Sequence, residues 1–296
     1  MKIFDCFMYF DEDLILDIRF NILNKYVDYF VIVESRFNHN GDNRDLKFNF
    51  KRFKKFKKKI IYLVQDKLPE KIQKIHTYES EKIKERKYIL NAIIRENAQR
   101  NYIEKGLKNA DKNDLVLISD VDEIPNLDNL NLAKINKKII IFKQIMSYYK
   151  FNLAMPKYDW YGTKGCLKKY LHTPQWLRNV KSKKYSKFRL DILFSKKRYN
   201  DIHIVKKGGW HFTNLKDPKQ IEKKFKSYLH HREFELSGMN IKTIENVIKN
   251  RIAIYDLKVD QRSNKIGRGS KLTQLDDKKL PKFIIKNKKR FSKWFI

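Results

Sequence analysis

The stretch LVLISDVDEIP, residues 115–125, is an apolar run that ends in three carboxylates within four positions and then a proline. A short continuous run of β-forming residues reads as a strand buried on both faces. In open α/β sheets, ligands bind beyond the carboxyl ends of such strands, where the loops diverge. Side chains alternate along an extended segment, so Asp120 and Asp122 leave on one side while Val121 turns to the core. Two carboxylates on one side suit a hard divalent cation, Mg²⁺ or Mn²⁺, with coordination positions left for phosphate oxygens and water. Pro125 removes a backbone donor and helps to end the strand.

Three other readings compete. A calcium EF-hand needs an acid or amide where Ile124 stands and a glycine where Pro125 stands, and is excluded. A phosphatase with a strand-end aspartate nucleophile carries its alternating acids on the first strand and follows them with a threonine. Here the pair comes after residue 110, with Glu123 and Ile124 behind it. Acids that merely cap the next turn remain an alternative for any bare DxD.

Outward from the motif, strand and helix patterns alternate. KIFDCFMYF, DYFVIVES and KIIYLVQD read as strands. DEDLILDIRFNILNKYV has acids in its first turn and Leu14, Ile18, Ile22 and Leu23 at helical spacing. A long helical stretch runs from Glu79 to Leu107, stopped near Gly106. Strands separated by helices predict an α/β fold with a mostly parallel, doubly wound sheet flanked by helices. KKIIIFKQIMSYYKFNL predicts a further long strand, and residues 152–210 read as irregular. DPKQIEKKFKSYL predicts a helix with Asp217 as cap and Pro218 at its first position, and IKTIENVIKNRI another. The expected organisation is one domain over residues 1–235 and a helical, basic C-terminal extension over 236–296. The tail LPKFIIKNKKRFSKWFI suits either an interfacial amphipathic segment or a basic helix packed on the domain.

The 296 residues carry 67 Lys and Arg against 34 Asp and Glu, a formal charge of +33. Such a field attracts polyanions of any kind, including nucleic acid, anionic lipid and nucleotide substrates, without choosing among them. The heavy use of Lys, Ile and Asn also fits A/T-rich coding. An apolar fraction of 42% is ample for a core and argues against global disorder. Cys6 and Cys166 are the only cysteines and have no zinc spacing, which points to a reducing compartment. No apolar run approaches the roughly 20 residues that span a bilayer, and the N-terminus lacks a signal cleavage site. A cytoplasmic protein is expected, held at the inner face of the membrane if the tail meets anionic lipid.

SDVDEIP occurs together with GGWHFTN at 208–214, TPQWLRN at 173–179, DWYGT at 159–163 and the opening IFDCFMYFDEDLILDIRFNILNKYVDYFVIVES. In that order these blocks resemble glycosyltransferase family 17, over residues 1–235. The resemblance implies a GT-A-type, Rossmann-like fold and a divalent metal. It also implies a UDP-sugar donor, N-acetylglucosamine or a related hexose, and transfer to a glycan acceptor with inversion.

Under that resemblance Asp120 and Asp122 take the DxD role on the metal and the donor diphosphate, and His211 is the late histidine that completes the metal site. Trp210 beside it offers a face for a sugar ring, or packs in the core. Arg100, in RENAQRNYI, is a candidate diphosphate or uridine donor, with Asn101 next to it. Glu34 and Ser35 end the strand VIVES and are expected to face the same crevice, with Arg36 and His39 as weaker candidates in the loop that follows. An inverting transfer needs a general base, and Asp159, Asp191 and Glu123 are the candidates, with no basis for choosing among them. The rival class is a nucleic-acid-binding protein or metal-dependent nuclease. KRFKKFKKK, with Phe53 and Phe56 between lysines, favours it, and the lack of any recognised nucleic-acid-binding pattern counts against it.

Overall fold

In a computed structural model, residues 1–128, 130–183, 195, 198–199, 201–228, 231–255 and 269–296 are described. The first half builds the expected alternation. It comprises β1 (Ile3–Tyr9), α1 (Asp13–Leu23), β2 (Tyr29–Ser35), β3 (Ile60–Gln65), α2 (Glu81–Asn101) and β4 (Leu115–Asp120). β5 (Glu123–Pro125), β6 (Ile139–Tyr148), β7 (Leu153–Leu167), α3 (Pro174–Asn179), β8 (Ile202–Val205) and β9 (Gly209–Thr213) follow. The chain closes with α4 (Pro218–Ser227), α5 (His231–Leu236), α6 (Ile241–Lys249), β10 (Thr273–Gln274) and α7 (Lys282–Lys286). Asp217 and Gln220 form a capping box at the start of α4, with Pro218 at its first position as expected.

The strands form one mixed sheet in the order β3-β2-β1-β4-β7-β6-β9-β5, with β8 on β6 and β10 on β7. β3, β2, β1 and β4 are mutually parallel. Beyond β4 the sheet departs from the mostly parallel expectation, because β7 runs antiparallel to both β4 and β6. The cause is a hairpin: β6 turns directly into β7, and a short turn can connect only antiparallel strands. Tyr149 takes a left-handed φ of 62° in that turn. Residues 153–167, expected to be irregular, are therefore a 15-residue strand. Gly162 and Gly165 weaken its strand signature, yet close packing requires them. A Cβ at Gly162 would lie 2.0 Å from Gln144 Oε1, and one at Gly165 would lie 2.7 Å from Leu117 Cδ2.

The central strands are buried on both faces, as their unbroken apolar runs predict. Phe30 and Ile32 of β2 join a core beneath α1, whereas Val31 and Val33 join the core on the opposite face. Phe53 and Phe56 of the basic stretch turn inward and pack on Phe20 of α1, so they are not available to stack on nucleic acid bases. The tail also turns inward. Leu280, Ile284 and Phe291 are buried in the core beneath α1, and Phe151 N–H donates to the carbonyl of Trp294. Among the described residues no helix is long and apolar enough to cross a membrane.

Candidate active site

A cavity of about 360 Å³ lies at the carboxyl ends of β1, β2 and β4, where the strand-end argument places it. Met8, Tyr9 and Phe10 come from β1 and its continuation, and Asn38 and His39 from the loop after β2. Asp120 and Asp122 come from the end of β4, and Trp160 and His211 from the antiparallel half. The acidic motif leaves β4 in a turn and enters β5, which pairs with β9 so that Glu123 stands opposite His211. That register brings Asp122 to its histidine across almost ninety residues of sequence. Gly209 makes the approach possible. It has φ +121°, and a Cβ there would lie 2.1 Å from the carbonyl oxygen of Ile124. The paired glycines of GGWHFTN thus serve a close contact between strands.

The two aspartates have different partners. Asp120 accepts from Arg100 Nη2 at 3.1 Å on one oxygen and from Arg178 Nη2 at 2.7 Å on the other. Burial alone would raise its pKa, but Arg178 and then Arg100 override that and hold the carboxyl well below the usual range. Asp122 Oδ1 lies 3.4 Å from His211 Nε2, and its Oδ2 lies 3.9 Å from Lys224 Nζ. Burial opposes both charges, yet the pair favours an ionised Asp122 and lifts the pKa of His211. The ring of His211 packs against Trp160 with centroids 4.9 Å apart, and its buried Nδ1 has no hydrogen-bond partner among the described residues.

Beneath the cavity a buried network holds the motif rigid. Glu123, fully buried, accepts from Arg178 on both oxygens at 2.6 and 2.7 Å, from Trp160 Nε1 at 2.6 Å and from the backbone N–H of Asp120 at 3.0 Å. Arg178 also donates to the carbonyl of Gly162 at 2.7 Å. Lys164 Nζ donates to the carbonyls of Arg178 and Val180, both at 2.5 Å, and so clamps the end of α3 that carries the arginine. From the other side Arg19 of α1 donates to the carbonyls of Glu123, Val121 and Asp120 at 2.7, 3.2 and 3.3 Å. It also forms a fully buried bidentate pair with Asp5.

The structure therefore brings Asp120, Asp122, Arg100 and His211 together at one cavity, and His39 lines it as well. The other expected residues lie elsewhere. Glu123 sits under the cavity with its oxygens committed to donors, a position suited to holding the motif and not to taking a proton. Asp159 is half exposed and pairs with Lys143 at 2.5 Å, outside the cavity lining. Asp191 lies outside the described residues. Glu34 is buried and braces the following loop, accepting from Arg44, from the N–H groups of Lys47 and Phe48 and from Tyr62. Ser35 accepts from the N–H of Phe37, and Asn101 ties α2 to α3 through the N–H of Gln175. Arg36 is exposed at the surface. Trp210 points away from His211 and donates to the carbonyl of Lys279, packed against the tail. Its neighbour on the cavity side is Trp160.

Sequence reasoning missed Arg178, Lys224, Arg19 and also Glu12, which lines the cavity just before α1. Arg178 was in view within TPQWLRN, but its partners are 55 and 58 positions away in sequence. Arg19 gave one signal, a cation inside the apolar face of α1. Among the described residues no three His, Cys, Asp or Glu side chains converge as a metal cage. The donor set is one carboxylate and one imidazole facing each other in the cavity. That suits a divalent cation completed by phosphate oxygens and water, the usual arrangement where a substrate diphosphate shares the ion.

The sequence model for glycosyltransferase family 17 matches residues 1–295. The chain belongs to glycosyltransferase family 17. The match runs well past the residue 235 expected from the blocks, in keeping with a tail packed into the main core. No curated protein matches the chain. Family 17 membership makes glycosyl transfer, with a sugar donor and an acceptor, the chemistry of this chain, and the nuclease alternative finds no support.

Proposed function

We propose that this family 17 glycosyltransferase uses a GT-A-type fold to move a hexose or N-acetylhexosamine, N-acetylglucosamine foremost, from a UDP-sugar to a glycan acceptor with inversion. The observation that carries the reading is the buried Asp122–His211 pair, set at the carboxyl end of β4 in a cavity that also presents Arg100 and Lys224. Asp122 and His211 would hold Mn²⁺ or Mg²⁺. When bound, the cation supplies fixed positive charge against the negative charge that grows on the departing diphosphate. Lys224 and Arg100 add cationic side chains to the cavity lining, and Arg178 keeps Asp120 ionised and fixed in one rotamer.

A base is also required at the acceptor hydroxyl. A second cavity of about 290 Å³ shares Glu12, Asp122, Asn214 and Lys224 with the first. Asp122 is engaged with His211, which leaves Glu12 as the carboxylate common to both cavities and free to act. Its Oε2 is oriented by the N–H groups of Phe10 and Asp11 at 3.0 and 3.1 Å. We assign the acceptor sugar to this second cavity and the base to Glu12.

The test is release of UDP from a panel of UDP-sugars, with Mn²⁺ and after chelation, in wild type, Asp122→Asn and Glu12→Gln. Asp122→Asn should lose donor turnover on the order of 10²-fold or more. Glu12→Gln should lose transfer to acceptor while keeping UDP binding. Equal turnover by wild type and Asp122→Asn sinks the metal assignment, and equal transfer by Glu12→Gln sinks the base.

A further inference from the structure

The outer face of α2 carries a stripe of exposed side chains. At about 100° per residue, Lys82, Ile83, Arg86, Ile89 and Ile93 fall on one side of the helix. The three isoleucines are 48%, 41% and 36% exposed, and Tyr78, just before the helix, is 82% exposed. Isolated exposed apolar residues need no explanation, but Ile89 and Ile93 lie in line with Lys82 and Arg86, with Ile83 at the edge of an arc of roughly 120°, and together they form an amphipathic surface. The acids near the stripe are largely neutralised locally: Glu81 pairs with Lys84 at 3.0 Å, and Glu85 with Arg232 at 3.5 Å.

We propose that this face of α2 docks on an anionic lipid bilayer, with the isoleucines and Tyr78 entering the headgroup boundary and Lys82 and Arg86 meeting lipid phosphates. Charge decides the occupant. A second copy of a chain with formal charge +33 would bring like charge against like. An anionic surface would be attracted to the same face, and apolar burial would then add to the electrostatic attraction. Nucleic acid is the other polyanion, but the isoleucines offer bases no ring to stack on, and the ring of Tyr78 already stacks on His76 with centroids 5.0 Å apart. The tail, the other amphipathic candidate, spends Leu280, Ile284 and Phe291 on the protein core.

The location has a consequence for the enzyme. The same helix ends in Glu96, Gln99 and Arg100, which line the main cavity. Ile83 and Arg100 are 17 residues apart, so docking would hold the cavity about 25 Å along the helix from its first anchor. The inference stands independently of the donor and metal assigned above.

The experiment is co-sedimentation with phosphatidylcholine vesicles, with and without phosphatidylglycerol. It compares wild type, the triple variant Ile83→Ser/Ile89→Ser/Ile93→Ser and the charge variant Lys82→Glu/Arg86→Glu. Wild type should bind only the anionic vesicles, and each variant should lose at least about tenfold in partitioning. All substituted side chains are exposed, so melting temperatures should stay close to wild type; should the triple variant fail to fold, the charge variant decides alone. Undiminished vesicle binding by the folded variants overturns the proposal. So does a dimer in light scattering that the triple variant abolishes without any vesicle binding, or a loss confined to single-stranded DNA binding.

Discussion

Replacing Arg19 with methionine probes how the fold holds the acidic motif. Arg19 and Asp5 are both fully buried, joined by Nε to Oδ2 at 2.7 Å and Nη2 to Oδ1 at 2.5 Å. Arg19→Met strands the Asp5 carboxylate in the core, and breaking a buried pair by removing one partner costs about 3–5 kcal/mol. At roughly 2–4 °C per kcal/mol for chains somewhat shorter than this one, the melting temperature should fall by about 6–20 °C, towards the lower figure in this longer chain. The double variant Asp5→Leu/Arg19→Met removes both charges and should recover most of that loss, since apolar replacement of a buried pair is often neutral or better. It does not restore the donors to the carbonyls of Asp120, Val121 and Glu123. Activity should therefore stay depressed in the double variant even as stability returns. Urea denaturation measures the first quantity and sugar-nucleotide turnover the second. A double variant no more stable than Arg19→Met would refute the stranded-charge account, and one with full turnover would refute the role of Arg19 in shaping the motif.

Arg178→Lys keeps the charge but cannot fork across both oxygens of Glu123 while holding Asp120; turnover should fall on the order of 10²-fold, with a much smaller change in donor affinity by calorimetry, and wild-type turnover would contradict it. Lys164 is a buried lysine whose pKa burial pushes down from 10.5 to about 7. Between those values the unfolded chain holds a proton that the folded chain does not, so this group's contribution to stability rises as pH increases from 7 towards 10.5. The difference in urea midpoint between pH 7 and pH 9 should shrink in Lys164→Met, and an unchanged difference would show that Lys164 titrates normally. Gly209→Ala forces a side chain onto the Ile124 carbonyl at φ +121° and should cost more than about 2 kcal/mol in unfolding free energy, where a neutral result would mean that β5 can move aside.

Much of the parallel half was legible because its signals are local. The apolar run of β4 delivers the acidic motif to a strand end, where Asp120 and, in the turn just beyond it, Asp122 both reach the cavity, and doubly buried strands must read as apolar runs. The antiparallel half was not legible to the same degree. β7 mixes half-exposed polar residues with glycines that exist only because Gln144 and Leu117 crowd them, and no local pattern records a neighbour's position. Trp210 and Trp160 show the same limit: only Trp210 was singled out as a face for a sugar ring, yet strand register put it against the tail and placed Trp160 beside His211.

By itself the sequence determined that an acidic pair ends a buried strand in a chain of this family, and it singled out His211 as a candidate partner. Only the tertiary structure decided that Asp120 belongs to Arg100 and Arg178, that Asp122 belongs to His211 and Lys224, and that Glu123 lies beneath the cavity as a brace. The reason is physical. Backbone alternation and hydrophobic periodicity act over a few residues and leave their mark in order along the chain. Charge pairing depends on distances set by the register of β5 on β9 and by the placing of α1 and α3, which bring together residues 104 positions apart in the case of Arg19 and Glu123.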